Sequence, residues 1–113
     1  MQTDNPFTTL SRLIRTLRGN SGCPWDKEQK FEDVLPSLIE EAYELQWANA
    51  KQSHAEVVEE LGDVLFVLFF AIEILGETHE DVTTERIVQR AYDKIKRRHP
   101  HVFGDESAET TAQ

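Results

Sequence analysis

The chain has 113 residues, with 12 Lys and Arg against 21 Asp and Glu, for a formal net charge of -9. That length fits one domain, able to bury a core but poorly shielded when alone, so association with a second copy is one remedy. The acidity argues against a sequence-independent binder of nucleic acid polymers, which needs a basic face, and leaves room for a small phosphorylated substrate held by a few cations and a metal.

In chain order, Asn5 reads as the cap of a first helix, with Pro6 at its first position. Phe7, Leu10, Leu13, Ile14 and Leu17 then recur at helical spacing, and the stretch from Gly19 to Gly22 ends the helix. The stretch GCPWDKEQK, from Gly22 to Lys30, reads as a loop by its Gly, Pro and Asp content. The single cysteine, Cys23, forms no internal disulfide and fits a reducing cytoplasm.

A second helix is expected from about Glu32 or Asp33 to Lys51, with Pro36 in its first turn and Leu38, Ala42 and Leu45 on its buried stripe. Ser53 and Glu56 have capping-box spacing and open a third helix that ends near Gly76. Its segment VLFVLFFAIEIL, at 64–75, is too short to span a bilayer and carries Glu73, so no membrane contact is expected. Val64, Leu65, Val67, Leu68, Phe69, Phe70 and Ile72 point in all directions around it. Four helices of one short chain cannot enclose them all, which predicts a homodimer or a dimer of dimers. Thr83 or Thr84 begins a fourth helix, with Ile87, Val88, Ala91, Tyr92 and Ile95 inward and Pro100 as its stop. The start MQTDNPFTTL has no signal-peptide pattern. No strand-like alternation occurs, so the fold class is all-α: a four-helix bundle completed by oligomerisation. The folded unit is expected over residues 1–105, and the tail 106–113, without apolar periodicity, is expected to be disordered.

Two acidic clusters stand beside the most apolar segments: EEAYE at 40–44 and EELGD at 59–63. At 100° per residue, Glu41 and Glu44 lie about 60° apart on one edge of the second helix's stripe. Glu60 and Asp63 do the same on the third helix. Antiparallel packing through the stripes makes these four carboxylates face one another across a groove, with Glu40 and Glu59 further out. Solvated acidic faces are the plain alternative. It fares poorly here, because neither cluster has a basic residue within a turn on its own helix. Converging carboxylates raise one another's pKa unless a cation intervenes. A hard ion such as Mg²⁺ prefers oxygen ligands and bridges to phosphates, and no Cys or His cluster suits zinc. Lys94, Arg97 and Arg98 supply cations for phosphate, or else complement the helix dipole. Lys27 and Lys30 add charge in the loop. Trp25 either stacks on a base or covers helix ends.

Taken together, LRGNSGCPWDKEQ, LIEEAYE, EELGDVL and KIKRRHPHVFGD resemble the MazG family of nucleoside triphosphate pyrophosphohydrolases over about residues 7–105. The acidic pattern alone is shared with all-α dUTP and dCTP hydrolases and with phosphoribosyl-ATP pyrophosphohydrolases; the GCPWD and RRHPHVFGD segments single out MazG. The resemblance implies an enzyme that splits an NTP or dNTP into NMP or dNMP and pyrophosphate with Mg²⁺, for which Mn²⁺ is a substitute. It implies Glu41, Glu44, Glu60 and Asp63 as metal ligands and Glu40 as an accessory acid. Lys94, Arg97 and Arg98 match the family's phosphate-contacting segment, and Trp25, Asp26 and Lys27 fall in the loop near the nucleotide. It also implies tight dimers, sometimes paired into tetramers. The sequence departs at Lys30-Phe31, where the family often has Thr-His, and at Val67 and Phe70, where Gln and His are common. The latter predicts a drier core or interface. A dUTP- or dCTP-selective hydrolase on the same scaffold, and a helical dimerisation module without catalysis, are the competing readings.

Overall fold

The computed structural model describes residues 5–104; the expected tail at 106–113 lies outside them. Among the described residues, six helices follow in order: α1 (Pro6–Leu17), α2 (Pro24–Glu28), α3 (Phe31–Ala50), α4 (His54–Gly76), α5 (Thr84–Arg97) and α6 (Pro100–Phe103). No strand occurs among the described residues, so the all-α class holds.

The capping chemistry explains most boundaries. Asn5 Oδ1 accepts the Phe7 N–H at 2.8 Å, with Pro6 at the first helical position. Thr83 Oγ1 accepts the Arg86 N–H at 3.1 Å to open α5. Ser53 caps α4 through the Glu56 N–H at 3.4 Å. Glu56 does not complete the box: its carboxylate pairs with Lys51 Nζ at 2.6 Å.

Three local readings need correction. The segment GCPWDKEQK is not wholly a loop: Pro24 starts the one-turn helix α2, with Asp26 in the first turn where a negative charge suits the helix dipole. The second predicted helix, α3, begins earlier, at Phe31, with the Lys30 N–H bonded to Asp33 Oδ2 at 3.0 Å. Pro36 therefore falls in the second turn and removes the N–H that would bond to the Glu32 carbonyl. After its stop, Pro100 also begins a helix of its own, α6.

α3 and α4 form an antiparallel hairpin across a three-residue connection, residues 51–53. Gln52 turns the chain there with φ 58°, the one non-glycine positive φ among the described residues. α1 packs across the C-terminal half of α4, helped by an Arg15–Glu73 contact at 3.6 Å. The core lies at this crossing: Ile14, Val34, Phe69, Phe70, Ala71 and Ile74, with Leu10, Phe31, Phe66 and Val67 packed against it. Phe31, Val67 and Phe70, three of the departures noted above, thus supply apolar packing. Gly22 is required by space, because a Cβ there would meet the Leu17 and Thr16 carbonyl oxygens at 2.2 and 2.3 Å.

α5 does not behave as expected. Its stripe is not inward: Ile87, Val88, Tyr92 and Ile95 are 37–58% exposed, because the helix touches the bundle near its first turn and then stands away from it. The Cα radius of gyration, 17.6 Å, exceeds the roughly 13 Å of a compact domain of this size. α4 is likewise not enclosed along its length: Leu61, Leu65 and Leu68 are exposed, whereas Phe69 to Ile72 are buried.

Candidate functional site: a carboxylate groove

The helical hairpin brings the two acidic clusters together. One carboxylate oxygen from each of Glu41, Glu60 and Asp63 lies within 4.8 Å of the other two. Glu41 and Glu60 are half-buried and Asp63 is exposed. Glu44 stands outside this close set and is exposed, but its charge still reaches Glu60. Glu40 is exposed and is not part of this close set.

Glu60 carries the strain of the arrangement. Its Oε2 is shut off from solvent and has no hydrogen-bond partner. Burial pushes its carboxyl above the usual carboxylate range. The charge of Asp63, the approach of the Glu41 carboxyl, and the charges of Glu41 and Glu44 push the same way. Two carboxylates satisfy each other only if a proton or a cation sits between them. Three hard oxygens from two rigid helices, one of them orphaned, suit a divalent cation of the Mg²⁺ class, which takes a few carboxylates and keeps its remaining positions for water and phosphate. The donor set therefore fits such an ion.

Next to the carboxylates along the same hairpin, a cleft of about 210 Å³ is lined by Asp26, Gln29, Val34, Ser37, Phe66, Val67 and Phe70. Ser37 lies one helical turn from Glu41 and Val67 one turn from Asp63, so cleft and carboxylates share one groove. Asp26, half-buried, joins this wall, while Trp25, 75% exposed, and Lys27 lie on the outer side of α2.

The basic segment is not brought into the groove. Lys94, Arg97 and Arg98 are exposed on α5 and its C-cap, and no ion pair joins them to the carboxylates among the described residues. Their neighbour Lys96 instead lies over the rings of Tyr92 and Phe103, at 5.5 and 5.8 Å. Sequence reasoning missed Arg18, which ties the α2 segment to α4. Its only sequence signal, an Arg before Gly at a helix end, reads as an ordinary C-terminal residue.

The family model of the MazG nucleotide pyrophosphohydrolase domain matches residues 29–103. The chain is 40% identical over 111 residues, 96% of its length, to the nucleoside triphosphate pyrophosphohydrolase of Escherichia coli (strain K12), of which it spans 41%. It is 41% identical over 99 residues, 88% of its length, to the uncharacterized protein YabN of Bacillus subtilis (strain 168), of which it spans 20%. The chain thus covers less than half of either relative. The crystal structure of a mazG-related protein from Thermotoga maritima aligns with a TM-score of 0.72 at 29% identity, over 88% of this chain and 84% of that one.

Proposed function

The chain belongs to the MazG nucleotide pyrophosphohydrolase family, and from that premise we propose that it hydrolyses an NTP or dNTP to the nucleoside monophosphate and pyrophosphate. The observation that carries the reading is the convergence of Glu41, Glu60 and Asp63, with an oxygen of Glu60 left unpartnered. These three residues, with Glu44 at the margin, would hold Mg²⁺, or Mn²⁺ in its place. Bound there, a divalent cation would supply charge neutralisation for phosphate oxygens and would lower the pKa of a water.

The protein's own groups do the positioning. The cleft beside Ser37 and Val67 takes the nucleoside end, which directs the triphosphate along the groove toward the carboxylates. Glu40, which is exposed, is free to orient a water and accept its proton on a carboxylate oxygen. Attack at the α-phosphorus breaks the bridge to the β-phosphate, and pyrophosphate leaves. Lys94, Arg97 and Arg98 would neutralise phosphate charge once the assembly brings α5 over a groove. The assembly in this reading is a homodimer or a dimer of dimers. A groove of about 630 Å³, lined in part by Leu65, Leu68, Ile72, Ile87, Val88 and Ala91, is the apolar face that a second copy covers. The compartment in this reading is the cytoplasm. No helix of the described residues is long and apolar enough to cross a membrane.

A nucleotide panel with Mg²⁺, resolving pyrophosphate from single phosphate, tests the reaction. Reaction in ¹⁸O-labelled water should place the label in the monophosphate. Release of single phosphate would reject the proposal, label only in pyrophosphate would move the attack to the β-phosphorus, and turnover of dUTP or dCTP alone would narrow the substrate.

A further inference from the structure

α2 buries none of its residues, yet it and the residue after it wall the cleft with Asp26 and Gln29. A five-residue helix without a buried face has no stability of its own. Its position must be imposed from outside. Ahead of it, the Cys23 N–H donates to the Leu17 carbonyl at 2.8 Å and anchors the start of the segment. Beyond that point the hydrogen bonds that tie the segment to the rest of the fold converge on one side chain. Arg18 Nη1 donates to the Asp26 carbonyl at 2.6 Å and to the Gln29 carbonyl at 3.0 Å. Its Nε and Nη2 donate to the two oxygens of Glu77 at 2.6 and 3.0 Å. Four of the five guanidinium donors are therefore engaged.

The same guanidinium lies 5.8 Å from the centroid of Phe70, and Phe70 lines the cleft together with Asp26 and Gln29. Only 10% of the Arg18 side chain is exposed. One planar group thus joins the end of α1, the cleft wall and the C-terminal cap of α4. A Lys at this position has the charge but not the fork, and cannot serve two carbonyls and a carboxylate in one plane.

We propose that Arg18 is a positioning residue for the substrate: it holds the Asp26–Gln29 wall against Phe70 and so sets the shape of the cleft for the nucleoside end. The inference rests on the reading of that cleft given under Proposed function. Arg18 acts through the wall, because four of its five donors are already taken by protein acceptors and its side chain is only 10% exposed. Its loss should therefore weaken substrate capture more than the chemical step.

The test uses Arg18→Met and Arg18→Lys in the full chain, with limited trypsin cleavage after Lys27 and Lys30 and steady-state kinetics on an NTP with Mg²⁺. In Arg18→Met, cleavage of the folded protein should speed up about tenfold or more. KM should rise about tenfold while kcat changes less than about threefold. Arg18→Lys should fall between Arg18→Met and the native chain in both readouts, and it carries the test alone if Arg18→Met does not fold. Native cleavage in the variant overturns the clamp. Faster cleavage with native KM overturns its role toward substrate, and so does a fall in kcat with KM unchanged. A native chain that releases no pyrophosphate from any nucleotide would overturn the proposed function and the substrate role with it. The cleavage arm, which uses no nucleotide, decides the clamp by itself.

Discussion

The two halves of α4 lie in different surroundings. Its C-terminal half, with Phe69, Phe70, Ala71 and Ile74, is closed in by α1 and α3 and belongs to the core. The part N-terminal to Phe69 carries Glu60 and Asp63 on one side and the exposed Leu61, Leu65 and Leu68 on others. The first half needs only its own chain. The second half holds the groove, and its apolar faces, like those of α5, stay exposed among the described residues. The carboxylates thus stand beside the apolar faces left most exposed, which links the proposed assembly to the proposed reaction.

The largest expected effect separates groove from core by chemistry. Asp63→Ala, at an exposed position, should lower Mg²⁺-dependent turnover by about 100-fold or more and leave the circular dichroism spectrum helical. Glu44→Ala should also impair turnover. Removing a crowded acid should even raise the stability of the metal-free protein by a few tenths of a kcal/mol. Native turnover in both variants would remove the carboxylates from the mechanism.

A paired substitution sharpens the contrast in packing. Ile14 is fully buried, and Ile14→Ala should cost about 2–5 kcal/mol in denaturant melts at any protein concentration. Val88 is 58% exposed, and Val88→Ala should shift the dilute, dissociated chain by no more than about 0.5 kcal/mol. Val88→Glu should instead shift assembly toward monomers in sedimentation equilibrium. A native chain that stays monomeric at micromolar concentration would contradict the second-copy cover.

A smaller gain is expected at the turn that sets the two site helices against each other. Gln52 sits at φ 58°, a conformation that costs a side-chain-bearing residue about 1–2 kcal/mol and glycine little. Gln52→Gly should therefore stabilise the hairpin by about 1 kcal/mol or less, after the entropy that glycine adds to the unfolded chain. Urea midpoints at constant m-value give the answer, and a lower midpoint would refute it.

The smallest effect is a slope with pH. Burial and the neighbouring acids hold Glu60 above its ordinary value of 4.5 in the folded state. The folded protein therefore binds that proton more tightly than the unfolded chain does. The resulting stabilisation is fully present below the unfolded value and is lost as pH rises through the raised folded value. Metal-free protein should lose thermal stability over that window, Glu60→Gln should flatten the loss, and added Mg²⁺ should offset it. Parallel pH profiles of Tm for the native chain and the Glu60→Gln variant would show that Glu60 does not titrate in this way.

The legible parts of this molecule are those with a short-range cause. Asn5-Pro6, Ser53 and Thr83 announce helix starts because caps act within three residues. Glu41, Glu60 and Asp63 could be set on one groove because helical periodicity turns sequence spacing into a face. Turns of one helix gave weaker signals. The brief helix at Pro24–Glu28 has no apolar period to display, and the start of α3 at Phe31 is hidden behind Pro36, which looks like a first-turn residue.

The acidic sequence repeat and the helical spacing of the apolar residues by themselves determined the all-α class and the opposed carboxylates, since both follow from a 3.6-residue period. Only the tertiary structure decided which apolar residues this chain covers. It put Phe70 inside and left Val88 outside, though both sit on apolar helix faces. It also put the Arg18 guanidinium on Asp26, Gln29 and Glu77. Those outcomes depend on where helices cross and end in space, and a helical period fixes a direction around one axis without fixing what stands opposite it.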